Sequence, residues 1–279
     1  MKLGVHCSIA GGVSNALLEA QSLGCDTMQI FSSAPKIWKP LPYSDKEINK
    51  YLLLNKKLKI SPVFIHSIYL VTLASHNIYF YNQSKIQLID GLKKVLKIGA
   101  AGVVTHLGSA VVLSQEQAID KVVEAIGEVL KTTSFGDFII ENSAGAGKII
   151  GDRFDEIGEI IARVKNNSRL KVALDTAHAY GAGYDLASEQ GLEETLGEFD
   201  DKIGLDRLVL IHANDTKVEL ASNLDRHANI GEGKIGIEGF KRIFNHPKLS
   251  HLPFILETPG FKTKEKNKEN LDNIRKLTQ

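Results

Sequence analysis

The sequence predicts an α/β fold of the TIM (β/α)8 barrel class. It contains eight short β-rich apolar runs, and helical patterns alternate with them along the chain. Runs such as KVALD (171–175) and RLVLIH (207–212) are apolar on both faces, which is typical of a parallel sheet covered by helices. Eight strand-helix units in 279 residues therefore indicate a barrel.

The elements follow one another in regular order. The predicted strands cover 3–8, 27–31, 61–67, 102–108, 137–143, 171–178, 207–215 and 253–259. The predicted helices cover 12–23, 44–59, 83–98, 114–133, 154–165, 189–203, 237–244 and 265–277. Ser114 is placed to cap the fourth helix. The open doubly wound sheet is the weaker alternative, because no GxGxxG motif follows the first strand.

Composition narrows the class of protein. A hydrophobic content of 43% and a charged content of 24% indicate a soluble globular chain. No linker or compositional break divides it, so we expect residues 1–279 to form a single barrel domain. A formal net charge of +1 gives no overall attraction to nucleic acid, so any DNA contact must come from a local cluster. Two cysteines and no long apolar segment favour a cytoplasmic protein without a membrane span.

Imidazole and carboxylate side chains recur where the apolar runs end. The carboxyl ends of parallel barrel strands meet at one rim, so these groups would share a pocket. Clustered carboxylates are costly unless cations neutralise them, and mixed nitrogen and oxygen ligands suit zinc or manganese. The strand-end residues are His66, His106, Glu141, Asp175, His212 and Glu257.

Three further candidates lie in loops that follow the strands. His178 comes three residues after Asp175, and Asp225 and His227 form a DxH pair that can chelate a metal from a turn. The sequence therefore offers nine candidate ligands. His6 is interpreted as a residue that lines the pocket, and Cys7 as a small buried hydrophobic residue.

Several longer segments resemble the endonuclease IV family of zinc-dependent abasic-site endonucleases. The most specific are LDTAHAYGAGYDL (174–186) and DRHANIGEGKIG (225–236). GVHCSIAGG (4–12), HSIYL (66–70), IENSAGAG (140–147), HANDTK (212–217) and LET (256–258) extend the resemblance over nearly the whole chain. The resemblance implies a xylose-isomerase-like TIM barrel with three zinc ions, and manganese is possible in some sites.

The same resemblance implies how the ligands are shared. His66, His106 and Glu141 would hold the first zinc ion. Glu141 would also reach a second ion, held by Asp175, His212 and Glu257. The third ion would be held by His178, Asp225 and His227.

The implied reaction is cleavage of duplex DNA on the 5′ side of an abasic site, leaving a 3′-hydroxyl and a 5′-deoxyribose phosphate. Trimming of blocked 3′ ends is also implied. Zinc-activated water is the expected nucleophile, with Glu141 and Glu257 in catalytic roles and Glu257 orienting or deprotonating the water. Damaged double-stranded DNA is the expected partner of a monomeric enzyme. An abasic nucleotide lacks stacking, so extruding it costs less than extruding a normal one.

Loops after the second and third strands would contact the DNA. By resemblance, the residues are Lys36, Trp38, Tyr69 and Leu70. Lys36 stands where the family usually has arginine, so the charge remains but bidentate contacts are lost. Ser67, Leu107 and Ala110 also depart from the family pattern. We therefore expect an intact metal site and an altered grip on DNA.

Two other functions remain open. A sugar isomerase or epimerase with one metal ion would need only Glu141, Asp175, His212 and Glu257. A lesion-binding protein without catalysis would keep the metals for structure alone. About three metal ions per chain favours the nuclease, and about one favours the sugar enzyme.

Overall fold

A closed parallel barrel forms the centre of the computed structural model, which describes residues 1–259 and 264–278. The barrel strands are β1 (Lys2–Cys7), β2 (Thr27–Phe31), β3 (Val63–His66), β4 (Gly102–Thr105), β5 (Asp137–Glu141), β6 (Leu170–Asp175), β7 (Leu208–His212) and β10 (Pro253–Leu256). Each strand pairs in parallel with its neighbours, and β10 closes the barrel against β1. The predicted fold class is confirmed.

Helices surround this barrel. They are α1 (Val13–Leu23), α2 (Asp45–Leu58), α3 (Ile78–Ile98), α4 (Gln115–Thr132), α5 (Phe154–Arg163), α6 (Thr176–Ala182), α7 (Glu189–Lys202), α8 (Gly236–Asn245) and α9 (Lys264–Leu277). The predicted capping of α4 is confirmed, because the Ser114 hydroxyl accepts a hydrogen bond from the Gln117 amide in a complete capping box. In the described residues, no helix combines the length and apolarity needed to cross a bilayer.

The prediction was wrong where a strand turns directly into a helix. The predicted strand 171–178 ends at Asp175, and α6 begins at the next residue. The Asp175 side chain accepts a hydrogen bond from the His178 amide and so caps α6. The apolar periodicity did not reveal this change because Ala177 and Ala179 suit either structure. The change matters, since it brings His178 back over the end of the strand.

A short antiparallel pair, β8 (Asp215–Thr216) and β9 (His227–Ala228), follows β7. The buried Asp215 carboxylate accepts hydrogen bonds from the backbone amides of Gly231, Gly233 and Ile235 at 2.9–3.0 Å. A side chain at Gly233 would collide with this carboxylate and with the Thr216 carbonyl oxygen. Asp215 therefore fixes residues 231–235, and the pairing of β8 with β9 holds His227 beside this segment.

Two layers of buried side chains explain why the site lies at the carboxyl ends of the strands. One layer packs between the barrel and its helices. A separate small cluster consists of Phe64, Val104, Ile139, Ala173, Leu210 and Ile255. Each member of this cluster precedes one of the six predicted strand-end ligands by two residues. Because side chains alternate along a strand, those ligands form the next layer inside the barrel.

Candidate metal centre

A cavity of about 400 Å³ opens at the carboxyl-terminal rim of the barrel. The strand ends position the side chains of this site, because His66, Glu141, Asp175 and His212 are the last residues of their strands. His6, Phe31 and Tyr69 also line the cavity. The interpretation of His6 as pocket-lining is confirmed, and Cys7 is buried in the core as predicted. In the part of the chain that the structure describes, no lysine or arginine lines this cavity.

Glu141 lies at the centre of the site and is fully buried. Its Oε2 is 2.9 Å from His66 Nε2 and 3.5 Å from His106 Nε2. Its Oε1 is 2.9 Å from His212 Nδ1 and 3.5 Å from His178 Nδ1. One carboxylate therefore contacts four imidazoles.

The candidate ligands fall into three groups whose donor atoms lie within 4.8 Å of one another. The groups are His66, His106 and Glu141; Glu141, Asp175, His212 and Glu257; and Asp175, His178 and His227. Glu141 and Asp175 each belong to two groups, so the three groups form one continuous cluster. Such sharing is what carboxylates do when they bridge neighbouring metal ions.

Asp225 lies at the open edge of the third group. Its carboxylate oxygens are 3.4 Å from His178 Nε2 and 3.2 Å from His227 Nε2, and its side chain is 53% exposed. The deeper Asp175 Oδ2 is 3.8 Å from His227 Nε2. The two histidines thus lie between a buried and an exposed carboxylate.

The second nitrogen of four histidine rings is already committed to a backbone carbonyl or amide oxygen. His66 Nδ1 donates to the Ser67 carbonyl at 2.7 Å, and His178 Nδ1 donates to the Asn142 carbonyl at 3.1 Å. The other two such bonds run from His227 Nδ1 to the Glu257 carbonyl and from His212 Nε2 to Gln29 Oε1. An oxygen acceptor requires a ring N–H, so the opposite nitrogen of each ring is left facing the site as a candidate ligand.

The pKa values of the histidines indicate that the cluster needs positive charge to balance its buried carboxylates. Burial disfavours protonation of His178, yet Asp175 and Asp225 raise its pKa to about 10. Burial likewise opposes protonation of His212, but Glu257 and Glu141 raise its pKa to about 9. Protons on these histidines balance the buried carboxylates. Metal ions would supply the same charge after displacing those protons, so the donor set fits a multi-metal site.

Burial alone would raise the pKa of Glu141, but His106 and His212 lower it well below its usual range. The pKa of Glu257 is also lowered, because His212 and the hydrogen bond from His6 outweigh its burial. Both groups are therefore carboxylates at neutral pH. A carboxylate with a lowered pKa accepts a proton poorly, which favours an orienting role over proton transfer.

Sequence reasoning missed three amides that position the ligands. Gln29 Nε2 donates to Glu257 Oε1. Asn214 Nδ2 donates to Asp175 Oδ2 at 2.7 Å, and its Oδ1 accepts the Glu257 amide at 2.8 Å. Asn142 Oδ1 accepts the Asp175 amide at 2.6 Å. The signal was present, since Gln29 is a polar residue inside the apolar run TMQIF and both asparagines stand close behind strand-end ligands.

The four predicted DNA contacts lie in different surroundings. Tyr69 is 66% exposed at the cavity, where its ring meets Phe31 edge-on. Lys36 is exposed in the neighbouring loop. Trp38 and Leu70 are partly buried and pack against the core. Tyr69 and Lys36 are therefore the better placed pair for a ligand above the rim.

Three departures from the family pattern turn out to be internal. Leu107 and Ala110 are buried in the core, and the Leu107 carbonyl accepts the Leu73 and Ala74 amides. Ser67 is buried as well, with its hydroxyl 2.8 Å from Thr105 Oγ1. These three side chains are therefore buried beneath the loops and are not part of the exposed surface.

Residues 17–277 match the sequence family described as "Xylose isomerase-like TIM barrel". A protein of Halothermothrix orenii named "Probable endonuclease 4" is 43% identical over 277 residues, covering 99% of this chain and all of the relative. A protein of the same name from Chloroflexus aurantiacus is 33% identical over 280 residues, with 100% and 98% coverage.

The crystal structure of endonuclease IV from Thermus thermophilus superposes with a TM-score of 0.89 at 36% identity, covering 99% of this chain and 98% of that one. D-psicose 3-epimerase from Clostridium cellulolyticum, solved with D-tagatose, superposes with a TM-score of 0.69 over the full length of both chains. At 17% identity this second likeness shows the shared fold alone.

Proposed function

The chain belongs to the endonuclease IV family and is an AP endonuclease, and we propose that nine rim side chains hold three zinc ions for cleavage 5′ to abasic sites. Nearly full-length matches to relatives of that name support the family assignment. One observation carries the metal proposal: four histidines each commit one ring nitrogen to an oxygen acceptor and direct the other into a shared carboxylate cluster.

The proposed partition assigns each ion its own ligands. The ligands are His66, His106 and Glu141 for the first; Glu141, Asp175, His212 and Glu257 for the second; and His178, Asp225 and His227 for the third. Asp175 lies close enough to His178 and His227 to support the third group as well. Manganese suits the same mixed donor set and can replace zinc in some sites.

When bound, zinc lowers the pKa of water to about 7 and offsets charge on phosphoryl oxygens. The residues of the chain set the geometry for that chemistry. Glu141 joins the first two groups, because its Oε2 contacts His66 and its Oε1 contacts His212. Glu257 Oε1 is engaged by Gln29 and His6, so Oε2 is the oxygen that would reach the second ion and orient the attacking water beside it.

Damaged duplex DNA is the proposed substrate, with hydrolysis leaving a 3′-hydroxyl and a 5′-deoxyribose phosphate. A 3′ end blocked by a sugar fragment also presents a phosphodiester to the cluster, so the trimming of such ends belongs to the proposal. The cavity admits an extruded sugar without a base, and Tyr69 stands at its mouth. Extrusion is easiest where stacking is already lost, which favours the abasic nucleotide.

The test uses an end-labelled duplex that carries one abasic analogue. Zinc-loaded protein should cut only on the 5′ side and leave a 3′-hydroxyl that a polymerase can extend. Asp225→Ala and His227→Ala should each abolish cutting, whereas His246→Ala should not, because His246 lies outside the site against Glu193. Failure of every metal form to cut this duplex would reject the proposal.

Metal analysis separates the nuclease from a sugar enzyme on the same barrel. About three zinc ions per chain are expected, and about one would favour the epimerase reaction. Removal of the metal should abolish cleavage, and its return should restore it. Full activity in strong chelator after metal removal would contradict the mechanism.

A further inference from the structure

A cluster of exposed rings lies beside the proposed DNA face. The first turn of α3 begins with Ile78, Tyr79 and Phe80, which are 64%, 55% and 40% exposed. The Phe80 ring stacks on Trp38 with a centroid distance of 6.0 Å and an interplanar angle of 14°. Tyr79 meets Phe80 edge-on at 5.6 Å. We call Trp38, Tyr79 and Phe80 the aromatic surface.

The aromatic surface is linked to the rim of the candidate metal centre by the loop between β2 and α2. Trp38 belongs to the loop between β2 and α2, which also carries Lys36 and Pro35. The Pro35 carbonyl accepts the Tyr69 amide at 3.1 Å, so this loop is joined to the residue at the mouth of the cavity. Lys36 follows Pro35 and precedes Trp38 by two residues, so the chain connects the mouth of the cavity to the aromatic surface within four residues.

Positive charge alternates with these apolar groups. The loop reads KIWK over residues 36–39, and both lysines are exposed while Ile37 is 53% exposed between them. Ammonium groups beside flat rings suit a chain of phosphates that also carries flat bases. An acidic protein segment would satisfy the lysines but would leave the rings without planar partners.

We propose that the aromatic surface binds unpaired bases of a single-stranded DNA segment that continues from the lesion-bearing duplex. In a fully paired duplex the base faces are covered by their neighbours, so they offer nothing to an exposed ring. Unpaired bases offer a π-face whatever their sequence. The inference rests on the proposed function, because it extends the same substrate beyond the metal centre.

The side chain of Gln87 supports this role by fixing the loop. Its Nε2 donates to the Trp38 carbonyl, and Gln87 is buried on α3, the helix that carries the exposed rings. Lys94, also buried on α3, donates to the Ser32 carbonyl at 2.7 Å. Two hydrogen bonds thus tie the β2–α2 loop to α3, the helix whose first turn carries Tyr79 and Phe80.

The experiment compares two abasic duplexes with the same lesion and neighbours. One is fully paired, and the other changes to a single strand a few nucleotides from the lesion. Wild-type protein should show a lower KM for the tailed duplex. Tyr79→Ala should raise that KM by roughly 5- to 150-fold, the scale of one lost base–ring contact, and leave kcat on the paired duplex unchanged.

Two variants control for folding and for general surface effects. Phe80→Leu keeps the packing against Trp38 and should weaken only the tailed duplex. Ile86→Ala removes a comparably exposed apolar side chain from the same helix and should change neither KM, because Ile86 lies two turns away. Equal KM values for both duplexes in wild type and in Tyr79→Ala would overturn the proposal.

Tryptophan fluorescence gives a second readout, because Trp38 is the single tryptophan in the sequence. Lesion-free single-stranded DNA should quench it, and inorganic polyphosphate of equal charge should not. Equal quenching by both would show attraction to charge alone and would overturn base stacking. A dimer that Tyr79→Ala dissociates would instead assign the surface to a second copy of the chain. If wild type cuts neither duplex, the proposed function itself fails.

Discussion

The candidate metal centre and the loops proposed to contact DNA are built in opposite ways. At the centre, Glu141 is fully buried and each of its oxygens contacts two histidines. In the loops, Lys36 and Tyr69 are largely exposed, and Tyr69 is held by a backbone bond and one edge-on ring contact. Under the proposed function, the barrel would therefore fix the chemistry, while the loops would adjust the affinity for DNA. Substitutions in the two regions should fail in different ways.

The largest effect is expected from Glu141→Gln, which keeps the volume of the side chain and removes its charge. The first two metal groups share this carboxylate, so both should lose metal. Activity should fall on the order of 10³-fold, the scale for losing a group that offsets transition-state charge. Steady-state cleavage and metal analysis measure it. Glu193→Gln, on the surface beside His246, is the matched control, and a loss below tenfold would contradict a shared ligand.

A residue that only positions ligands should matter less. Asn214→Ala removes the donor to Asp175 and the acceptor for the Glu257 amide. Supporting residues of this kind typically change metal affinity or activity by about 10- to 100-fold. Competition with a zinc-binding dye gives the affinity, with the exposed Asn245→Ala as control. An unchanged zinc affinity would mean that the strands alone hold Asp175 in place.

The pH dependence of metal-free stability tests the electrostatics of the centre. The pKa values of His178, His212 and His227 are raised to about 10, 9 and 9. Burial opposes each increase, but neighbouring carboxylates outweigh it. A histidine with a raised folded pKa stabilises fully below its unfolded value of about 6.5, and this stability is lost as pH rises toward 10. The pKa values of Asp225 and Glu257 are lowered, so their contribution is lost in acid below about 4.

The Tm of metal-free protein should therefore be highest between about pH 5 and 6.5. By pH 9 it should fall by several degrees, since one pKa unit is about 1.4 kcal/mol and each kcal/mol shifts Tm by about 2–4 °C. The affinity for zinc should instead increase as the pH rises from 6.5 to 9, because binding releases protons. A metal-free Tm that rises from pH 6.5 to 9 would show that the histidines are not paired with the carboxylates.

The contrast between the regions also explains what sequence could predict. The alternation of side chains along a strand, together with the convergence of strand ends, predicts that His66, Glu141, Asp175 and His212 meet. No periodicity governs the loops. Resemblance alone assigned Trp38 to DNA, and the structure shows it half-buried against Phe80, a residue 42 positions away that no local pattern connects to it.

Helix α6 is a second limit on what sequence predicts. Its seven residues are too few to show a clear apolar period. Its N-cap is Asp175, the last residue of β6, and the sequence pattern extends that strand through the helix. The three supporting amides were missed for a related reason. Their role depends on contacts across the barrel, such as Gln29 with Glu257, which are separated by 228 residues. Local sequence predicts the candidate ligands because they recur at the ends of successive strands. It does not predict the residues that hydrogen-bond to them, because those residues are distant in the sequence.

In the loop region, Tyr69→Ala should act on binding. Tyr69 stands at the mouth of the cavity but contacts no candidate ligand ring, so the metal count and Tm should stay unchanged. The KM for an abasic duplex should rise by roughly 5- to 150-fold if the ring stacks on a nucleotide, with a smaller change in kcat. Tyr69→Phe keeps the ring and should retain most of the affinity. A fall in kcat without a change in KM would place Tyr69 with the metal centre instead.

The smallest effect is expected at Lys36, where a single exposed charge is at stake. If its ammonium neutralises one phosphate, Lys36→Ala should reduce the slope of log K against log salt by about one and weaken binding a few-fold at low salt. Lys36→Arg should keep the slope and tighten binding, because a guanidinium makes bidentate contacts with a phosphate. Lys57→Ala is the control, since Lys57 is exposed in the last turn of α2, at the opposite end of the barrel. Titrations of a duplex with a non-cleavable abasic analogue, at several salt concentrations, would give all three slopes. An unchanged slope in Lys36→Ala would show that the Lys36 ammonium does not neutralise a phosphate, and would leave Lys39 and the Trp38 ring as the remaining candidate DNA contacts of this segment.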